Sequence, residues 1–84
     1  MQKVARSPDD LGHILKQYRL QNDLTQTELA NKVKSHQRLV SRLEAGNKGR
    51  TIDLIFNIFK VLDLEVEIRP RQKTKASDIV DLFL

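Results

Sequence analysis

Basic residues are concentrated in the middle of this 84-residue chain. Residues 32–50 carry a local net charge of +5, against +4 for the whole chain, and their one acidic residue is Glu44. The six basic residues there are Lys32, Lys34, Arg38, Arg42, Lys48 and Arg50. A second basic group, with no acid among it, lies within residues 69–75. Local basic clusters on a weakly charged chain indicate a polyanionic partner, although charge alone fits a solvated surface equally well.

The residue types that build most catalytic and metal sites are scarce. The chain has no cysteine, which removes disulfides, thiolate metal ligands and cysteine nucleophiles. Its two histidines, His13 and His36, are too few for a closed zinc site, which takes four ligands. The carboxylates are scattered, and the sequence has no glycine-rich phosphate-binding loop. We therefore predict that the protein is not an enzyme and that it needs neither a cofactor nor a metal.

The length of the chain limits it to one small domain. Such a domain buries only about 60–65% of its unfolded surface, so a partner subunit is a common source of additional stability. No apolar run is long enough to span a membrane, and the N-terminus lacks the apolar segment of a secretory signal. From the missing signal and the missing cysteines we predict a cytoplasmic protein.

The pattern predicts four helices before residue 64. Ser7 and Pro8 are typical of a helix start, and apolar residues at helical spacing follow to Tyr18. Thr25 and Glu28 have the spacing of a capping box at the start of a second helix. A third helix is predicted from about Gln37 to Ala45. A fourth is predicted from a cap at Thr51 to about Asp63.

The fourth predicted helix is apolar over more than half its circumference, whereas a surface helix needs an apolar arc of about 100°. A strand is predicted directly after it, because residues 64–69 alternate between apolar and polar until Pro70. A lone strand cannot satisfy its backbone groups, so both features favour a homodimer; a monomer with a central fourth helix is the alternative. The predicted interface consists of Ile58, Leu62, Leu64, Val66 and Ile68. We divide the chain into a helical dimerisation domain, residues 1–69, and a basic linker with a short amphipathic tail, residues 70–84.

Two short helices joined by a tight turn, with an apolar helix on each side, form the helix-turn-helix arrangement. At "LTQTELA", residues 24–30, and "SRLEAGN", residues 41–47, the chain resembles the lambda-repressor/Cro-like (XRE) family over about residues 10–63. The resemblance implies an all-α fold with one short strand. It would be a four- to five-helix lambda-repressor-like helix-turn-helix domain whose C-terminal strand pairs across a homodimer. Residues 1–69 would then form a DNA-binding and dimerisation domain.

The family arrangement places the third helix in the major groove of duplex DNA. Glutamine can form two hydrogen bonds with adenine and arginine two with guanine. The predicted base contacts are Gln37, Arg38, Ser41 and Arg42. The predicted phosphate contacts are Gln26, Thr27, His36, Asn47, Lys48 and Arg50. In the family, the glutamine at position 26 also braces the first recognition residue, and the pair at Arg19 and Glu44 ties the first helix to the end of the third.

The turn between the second and third helices departs from the family pattern. A glycine is usual where Lys34 stands, so we expect Lys34 to adopt the left-handed conformation at a cost on the order of 1 kcal/mol. His36 stands where a serine or threonine usually caps the third helix. We expect a weaker cap there, with the imidazole available to a phosphate.

Within the family, the layout is similar to that of HipB-type antitoxins. The short segment before the first helix, the direct passage from the fourth helix into a strand and the charged C-terminal tail carry this resemblance. It implies a repressor that binds a palindromic operator as a homodimer, regulates its own operon and has a HipA-type kinase toxin as a potential partner. Two alternatives stay open, namely a phage- or plasmid-type Cro/C repressor without a toxin, and a toxin-neutralising interaction module with little DNA binding. The apolar tail could bind a toxin, close on its own dimer or stay free.

Overall fold

A computed structural model describes residues 3–47 and 51–71 of the chain. It contains four helices, α1 (Pro8–Gln21), α2 (Gln26–Lys32), α3 (Gln37–Glu44) and α4 (Ile52–Val61). Helix α3 packs against α1 and α2, and α4 packs against α2. The predicted all-α helix-turn-helix fold is therefore confirmed. Most of the predicted linker and tail, residues 72–84, lies outside the described residues. No described helix has the length and hydropathy that crossing a membrane requires.

Side-chain caps begin three of the four helices, at the residues that the sequence predicts. The Ser7 hydroxyl accepts a hydrogen bond from the Asp10 N–H, and the Thr51 hydroxyl accepts one from the Leu54 N–H. At α2, Thr25 accepts from the Glu28 N–H at 3.0 Å while the Glu28 carboxylate accepts from the Thr25 N–H at 2.9 Å. The backbone N–H of Thr25, and then its hydroxyl, hold the pKa of Glu28 below its ordinary value. The predicted capping box is therefore present.

All four helices end in the same way, with one residue in the left-handed region followed by a return hydrogen bond. The left-handed residues are Asp23, Lys34, Gly46 and Asp63, with φ between 55° and 79°. In each case the N–H of the next residue donates to a carbonyl five positions earlier, as from Ser35 to Ala30 at 2.8 Å. This is the Schellman motif, in which glycine is the usual left-handed residue. Only α3 uses glycine, and the left-handed conformation predicted at Lys34 is confirmed by its φ of 55°.

The core lies where the four helices meet. It consists of Leu15, Leu29, Ala30, Val40, Leu43, Ile58, Phe59 and Leu62. Helices α1 and α3 approach closely at Gly12, where a Cβ would lie 2.7 Å from the carbonyl oxygen of Glu44 and closer still to that of Leu43. Only glycine permits this approach of the two backbones, so Gly12 fixes the position of the C-terminal end of α3.

Two of the residues predicted at the dimer interface are instead buried within one chain. Ile58 and Leu62 are 1% and 3% exposed and belong to the core, so in the single chain they offer almost no surface to a second copy. The phase of α4 turns Ile58 into the core, with Leu62 at the end of the helix, and leaves Ile52 and Phe56 on the outer face. Ile52 and Phe56 are 69% and 52% exposed.

The predicted strand is not formed within the described residues of this single chain. Residues 64–71 leave α4 without regular secondary structure and hydrogen-bond to no other segment as a strand would. A β-ladder requires a second strand, and residues 3–6 do not supply one. The predicted alternation is not visible in the exposure of the single chain, because Leu64 is half-buried whereas Val66 and Ile68, which share its side of an extended segment, are 49% and 94% exposed.

Candidate nucleic-acid interface

Helix α3 has one buried face and one polar face. Val40 and Leu43 are buried, which directs the other side of the helix to solvent. Of the four predicted base contacts, Gln37, Arg38 and Arg42 are exposed and Ser41 is half-buried. These four side chains therefore share the outer side of one short helix, with amide, hydroxyl and guanidinium groups that match base edges.

The N-terminal end of α3 is tied to α2 by a hydrogen bond between two glutamines. Gln37 Nε2 donates to Gln26 Oε1 at 2.6 Å, and Gln26 Nε2 donates to Glu44 Oε1 at 3.0 Å. Gln26 stands at the first position of α2 and thus bridges the two ends of α3. A side-chain amide has two N–H donors and one oxygen acceptor. After these bonds are made, Gln37 retains one N–H and its oxygen, and Gln26 retains one N–H, for a ligand.

A largely buried ion pair anchors this bridge to α1. Arg19 Nε donates to Glu44 Oε2 at 2.6 Å and Arg19 Nη2 donates to Glu44 Oε1 at 3.1 Å. The side chains of Arg19 and Glu44 are only 6% and 4% exposed. The remaining guanidinium nitrogen of Arg19 donates to the carbonyl of Leu24 at 2.7 Å, so every nitrogen of this buried cation has an acceptor. We call Arg19, Glu44, Gln26 and Gln37 together the α1–α3 network.

Four of the six predicted phosphate contacts are among the described residues. Gln26 and Thr27 are in the first turn of α2, and Thr27 is exposed. His36 is exposed at the N-cap of α3, where its side chain makes no capping hydrogen bond, and Asn47 is exposed just beyond the C-terminal end of α3. Lys48 and Arg50 lie outside the described residues. The structure therefore places two of the predicted phosphate contacts at the start of α2 and two next to the ends of α3 in the chain.

Sequence reasoning missed one residue that positions this face. Gly12 stands in the middle of α1, where glycine weakens a helix by roughly 0.5–1 kcal/mol relative to alanine. An unexplained glycine inside a strongly predicted helix is the signal that could have identified it. The structure gives the reason, which is the close approach of α1 to the last carbonyl groups of α3.

A family model and several solved structures match this chain. The family model described as "Helix-turn-helix" matches residues 15–68. A solved structure described as "Structure of HipA-HipB-O2-O3 complex" contains a chain that is 32% identical, with a TM-score of 0.74. The match covers 86% of this chain and 100% of that one. The "HipB-O4 20mer complex" gives the same identity, coverage and TM-score. No curated protein sequence matches the chain significantly.

Proposed function

The chain belongs to the XRE-type helix-turn-helix family and is of the HipB type, and from this we propose that it is a repressor that binds a palindromic operator as a homodimer. In this proposal it acts in the cytoplasm, represses its own operon and serves as the antitoxin to a HipA-type kinase. The observation that carries the proposal is the exposed polar face of α3, held in place by the α1–α3 network. A binding face that is fixed before the ligand arrives loses less conformational entropy on binding.

We assign base recognition to Gln37, Arg38, Ser41 and Arg42. Gln37 keeps one N–H and its oxygen free after bonding to Gln26. One donor and one acceptor on the same amide are what the two-bond contact with adenine requires. Each arginine can form the equivalent pair of bonds with guanine, and a good pair discriminates against a wrong base by about 1–3 kcal/mol.

We assign phosphate contacts to residues in the first turn of α2 and to residues that precede or follow α3 in the chain. They are Gln26, Thr27, His36, Asn47, Lys48 and Arg50. The free N–H of the Gln26 amide and the backbone N–H groups at the start of α2 can both donate to a phosphate oxygen. Such contacts fix the register of α3 in the groove without reading the sequence.

We propose that the dimer forms through the segment after α4. Leu64, Val66 and Ile68 alternate along it, and Ile68 exposes almost its entire surface in the single chain. A groove of about 1160 Å³ separates residues 3–6 from residues 63–71, and its floor includes Leu11 and Tyr18 of α1. Pairing of this segment with its copy across a two-fold axis would bury these side chains and satisfy the backbone groups that the single chain leaves unpaired. The resulting dimer would set the two α3 helices at one helical turn of DNA, about 34 Å.

The HipA-type partner rests on the family resemblance and on one solved relative, whose description names both HipA and HipB. A Cro/C-type repressor without a toxin remains the second candidate, because the α3 face described above would serve it equally well. A toxin-neutralising module with little DNA binding is the third candidate, and it is the less favoured because such a module does not need the exposed face of α3.

Selection of bound duplexes from a random-sequence pool tests the proposal. We expect the selected site to be palindromic, with half-sites separated by one helical turn, and the affinity to fall steeply as salt rises because counterions are released. Arg38→Ala and Arg42→Ala should each weaken binding to the selected site more than binding to random DNA. Lys16→Ala, at an exposed position of α1, is the control.

Equal losses on both DNAs would exclude base reading by these arginines. Affinity that is weak and independent of salt would favour the interaction-module alternative. Co-purification of the tagged protein with a kinase from its native host would separate the antitoxin from a repressor without a toxin.

A further inference from the structure

A small cleft lies between the end of α2 and the C-terminal half of α4, and the proposed function does not use it. Its volume is about 220 Å³, and it opens to solvent beside the turn that leads into α3. It is lined by Lys32, Val33, Lys34, Asn57, Lys60 and Val61. We call it the lysine cleft.

The lysine cleft concentrates positive charge. Lys32, Lys34 and Lys60 are exposed, and no acidic residue is among the lining residues. Among the described carboxylates, none lies within 4 Å of the three ammonium groups. The charge of Glu28, one turn before Lys32 on α2, acts on Lys32 without forming an ion pair, and Lys34 and Lys60 add two further positive charges. Three like charges around one small cleft repel one another, and an anionic ligand would relieve that repulsion.

The residues that line the cleft indicate which class of anionic ligand it would bind. Val33 and Val61 are half-buried and present apolar surface between the lysines, and Asn57 adds an amide. An inorganic anion would leave this apolar surface in contact with water. A peptide that carries both carboxylates and aliphatic or aromatic side chains would cover the valines and neutralise the lysines together.

The chain itself carries a segment of this composition. Residues 77–84 read Ser-Asp-Ile-Val-Asp-Leu-Phe-Leu, with two acids, five apolar residues and no basic residue. This segment lies outside the described residues. It is tethered to the cleft, because Asp78 follows Val61 by seventeen residues, which reach at most roughly 55–60 Å when extended. Closing a loop of this length costs little more than closing a shorter one, since doubling the length adds only about 0.6 kcal/mol.

We propose that residues 78–84 dock into the lysine cleft of the same chain, with Asp78 and Asp81 facing the ammonium groups and the apolar side chains covering Val33 and Val61. The docked segment shields positive charge next to the turn that begins α3. It also holds the apolar tail against its own domain, so that any other partner of the tail must first displace it. This inference does not depend on DNA binding.

Tryptophan fluorescence tests the docking in the full chain. The chain has no tryptophan, so Phe83→Trp places a single reporter in the tail. We expect emission at shorter wavelengths and weaker acrylamide quenching than in a synthetic peptide of residues 72–84 with the same substitution. Raised salt and Lys60→Glu should both shift the emission towards that of the peptide. Lys16→Glu, which reverses an exposed helical lysine on α1, should leave it unchanged.

The tryptophan at position 83 could itself alter the docking of the tail. Charge-reversal variants and a second measurement without tryptophan control for this effect. Asp78→Lys with Asp81→Lys should release the tail, and combining them with Lys32→Glu and Lys60→Glu should restore the short-wavelength emission. In the chain with native Phe83, the amide resonances of Val33 and Val61 should move when Asp78 and Asp81 are replaced. Resonances that stay in place, or peptide-like emission at low salt, would overturn the proposal. A shift that depends on protein concentration would assign the tail to another chain and overturn docking in cis.

Discussion

Gln37, the first residue of α3, donates a hydrogen bond of 2.6 Å to Gln26, the first residue of α2. The bond therefore ties together the N-terminal ends of the two helices of the helix-turn-helix motif. Gln26 in turn donates to Glu44 at the other end of α3. A phosphate contact made by Gln26 and a base contact made by Gln37 would therefore be coupled, because moving either amide displaces the other.

Single and double alanine variants at Gln26 and Gln37 measure this coupling. We expect Gln26→Ala to weaken binding to the selected duplex and Gln37→Ala to weaken it too. The loss in the double variant should be smaller than the sum, with an interaction energy of about 0.5–3 kcal/mol. The cycle of Gln26→Ala with Arg42→Ala is the control, and its losses should be nearly additive because Arg42 makes no hydrogen bond to Gln26. Additive losses for the glutamine pair would mean that the two side chains act independently on DNA.

The ion pair of Arg19 and Glu44 makes a separate prediction about stability. Glu44→Ala leaves a buried guanidinium without its counter-charge, so we expect a loss of about 3–5 kcal/mol in the free energy of unfolding, measured in urea. Arg19→Met combined with Glu44→Leu should lose less, because an apolar pair avoids burying an unpaired charge. Glu65→Ala, at an exposed carboxylate, is the control.

Glu44→Gln supplies the intermediate case if the alanine variant does not fold. The amide keeps one oxygen, which can still accept from Arg19 Nη2 and from Gln26, but it loses the charge and sets an N–H donor opposite Arg19 Nε. We expect the stability of Glu44→Gln to fall between those of the wild type and Glu44→Ala. If Arg19→Met with Glu44→Leu is as unstable as Glu44→Ala, then packing, and not the unpaired charge, determines the loss of stability.

Local chemistry explains which parts of this structure the sequence predicts. Caps at Ser7, Thr25 and Thr51 depend on residues three positions apart, and so the helix starts follow from the sequence alone. The sequence did not predict the left-handed residues at Asp23 and Asp63, because neither position is a glycine. The Schellman motifs there are otherwise like the one at Gly46. A prediction based on residue type alone finds such a motif only where a glycine or a known family position marks it.

Contacts between distant segments set the limit of the sequence predictions. Gly12 matters because it meets the carbonyl groups of residues about thirty positions later, and no local pattern contains that information. The same limit explains why the sequence did not predict the burial of Ile58 and Leu62 within one chain. The excess of apolar residues on α4 is visible in the sequence, but which of them α2 covers depends on how the two helices pack.

The left-handed conformation of Lys34 predicts a stabilising substitution. Lys34→Gly removes the steric cost of a side chain at φ 55°, which is about 1–2 kcal/mol, and adds a smaller cost because glycine is more flexible in the unfolded chain. We expect a net gain of roughly 0.5–1 kcal/mol in the free energy of unfolding, measured by thermal and urea denaturation. Lys32→Gly, in the last turn of α2, is the matched control and should destabilise by about 1 kcal/mol. A loss of stability in Lys34→Gly would show that the lysine side chain contributes more than its backbone strain costs.

Val66 provides the test of the dimer. If the extended segment after α4 pairs with its copy, Val66→Asp places a charge in an apolar interface, and burying an unpaired carboxylate is strongly unfavourable. We expect the wild type to sediment as a dimer and Val66→Asp as a monomer that has lost most of its affinity for the palindromic duplex. Glu67→Gln changes the charge of the next residue, which faces the opposite side of an extended segment, and should stay dimeric.

If the wild type sediments as a monomer, the proposed homodimer is excluded. If Val66→Asp stays dimeric, the interface would instead lie on the outer face of α4, where Ile52 and Phe56 are the large exposed apolar side chains. Phe56→Asp would then be the variant expected to separate the two subunits. Because Phe56 contacts Phe59 with ring centroids 5.5 Å apart, its effect on stability must be measured alongside its effect on sedimentation.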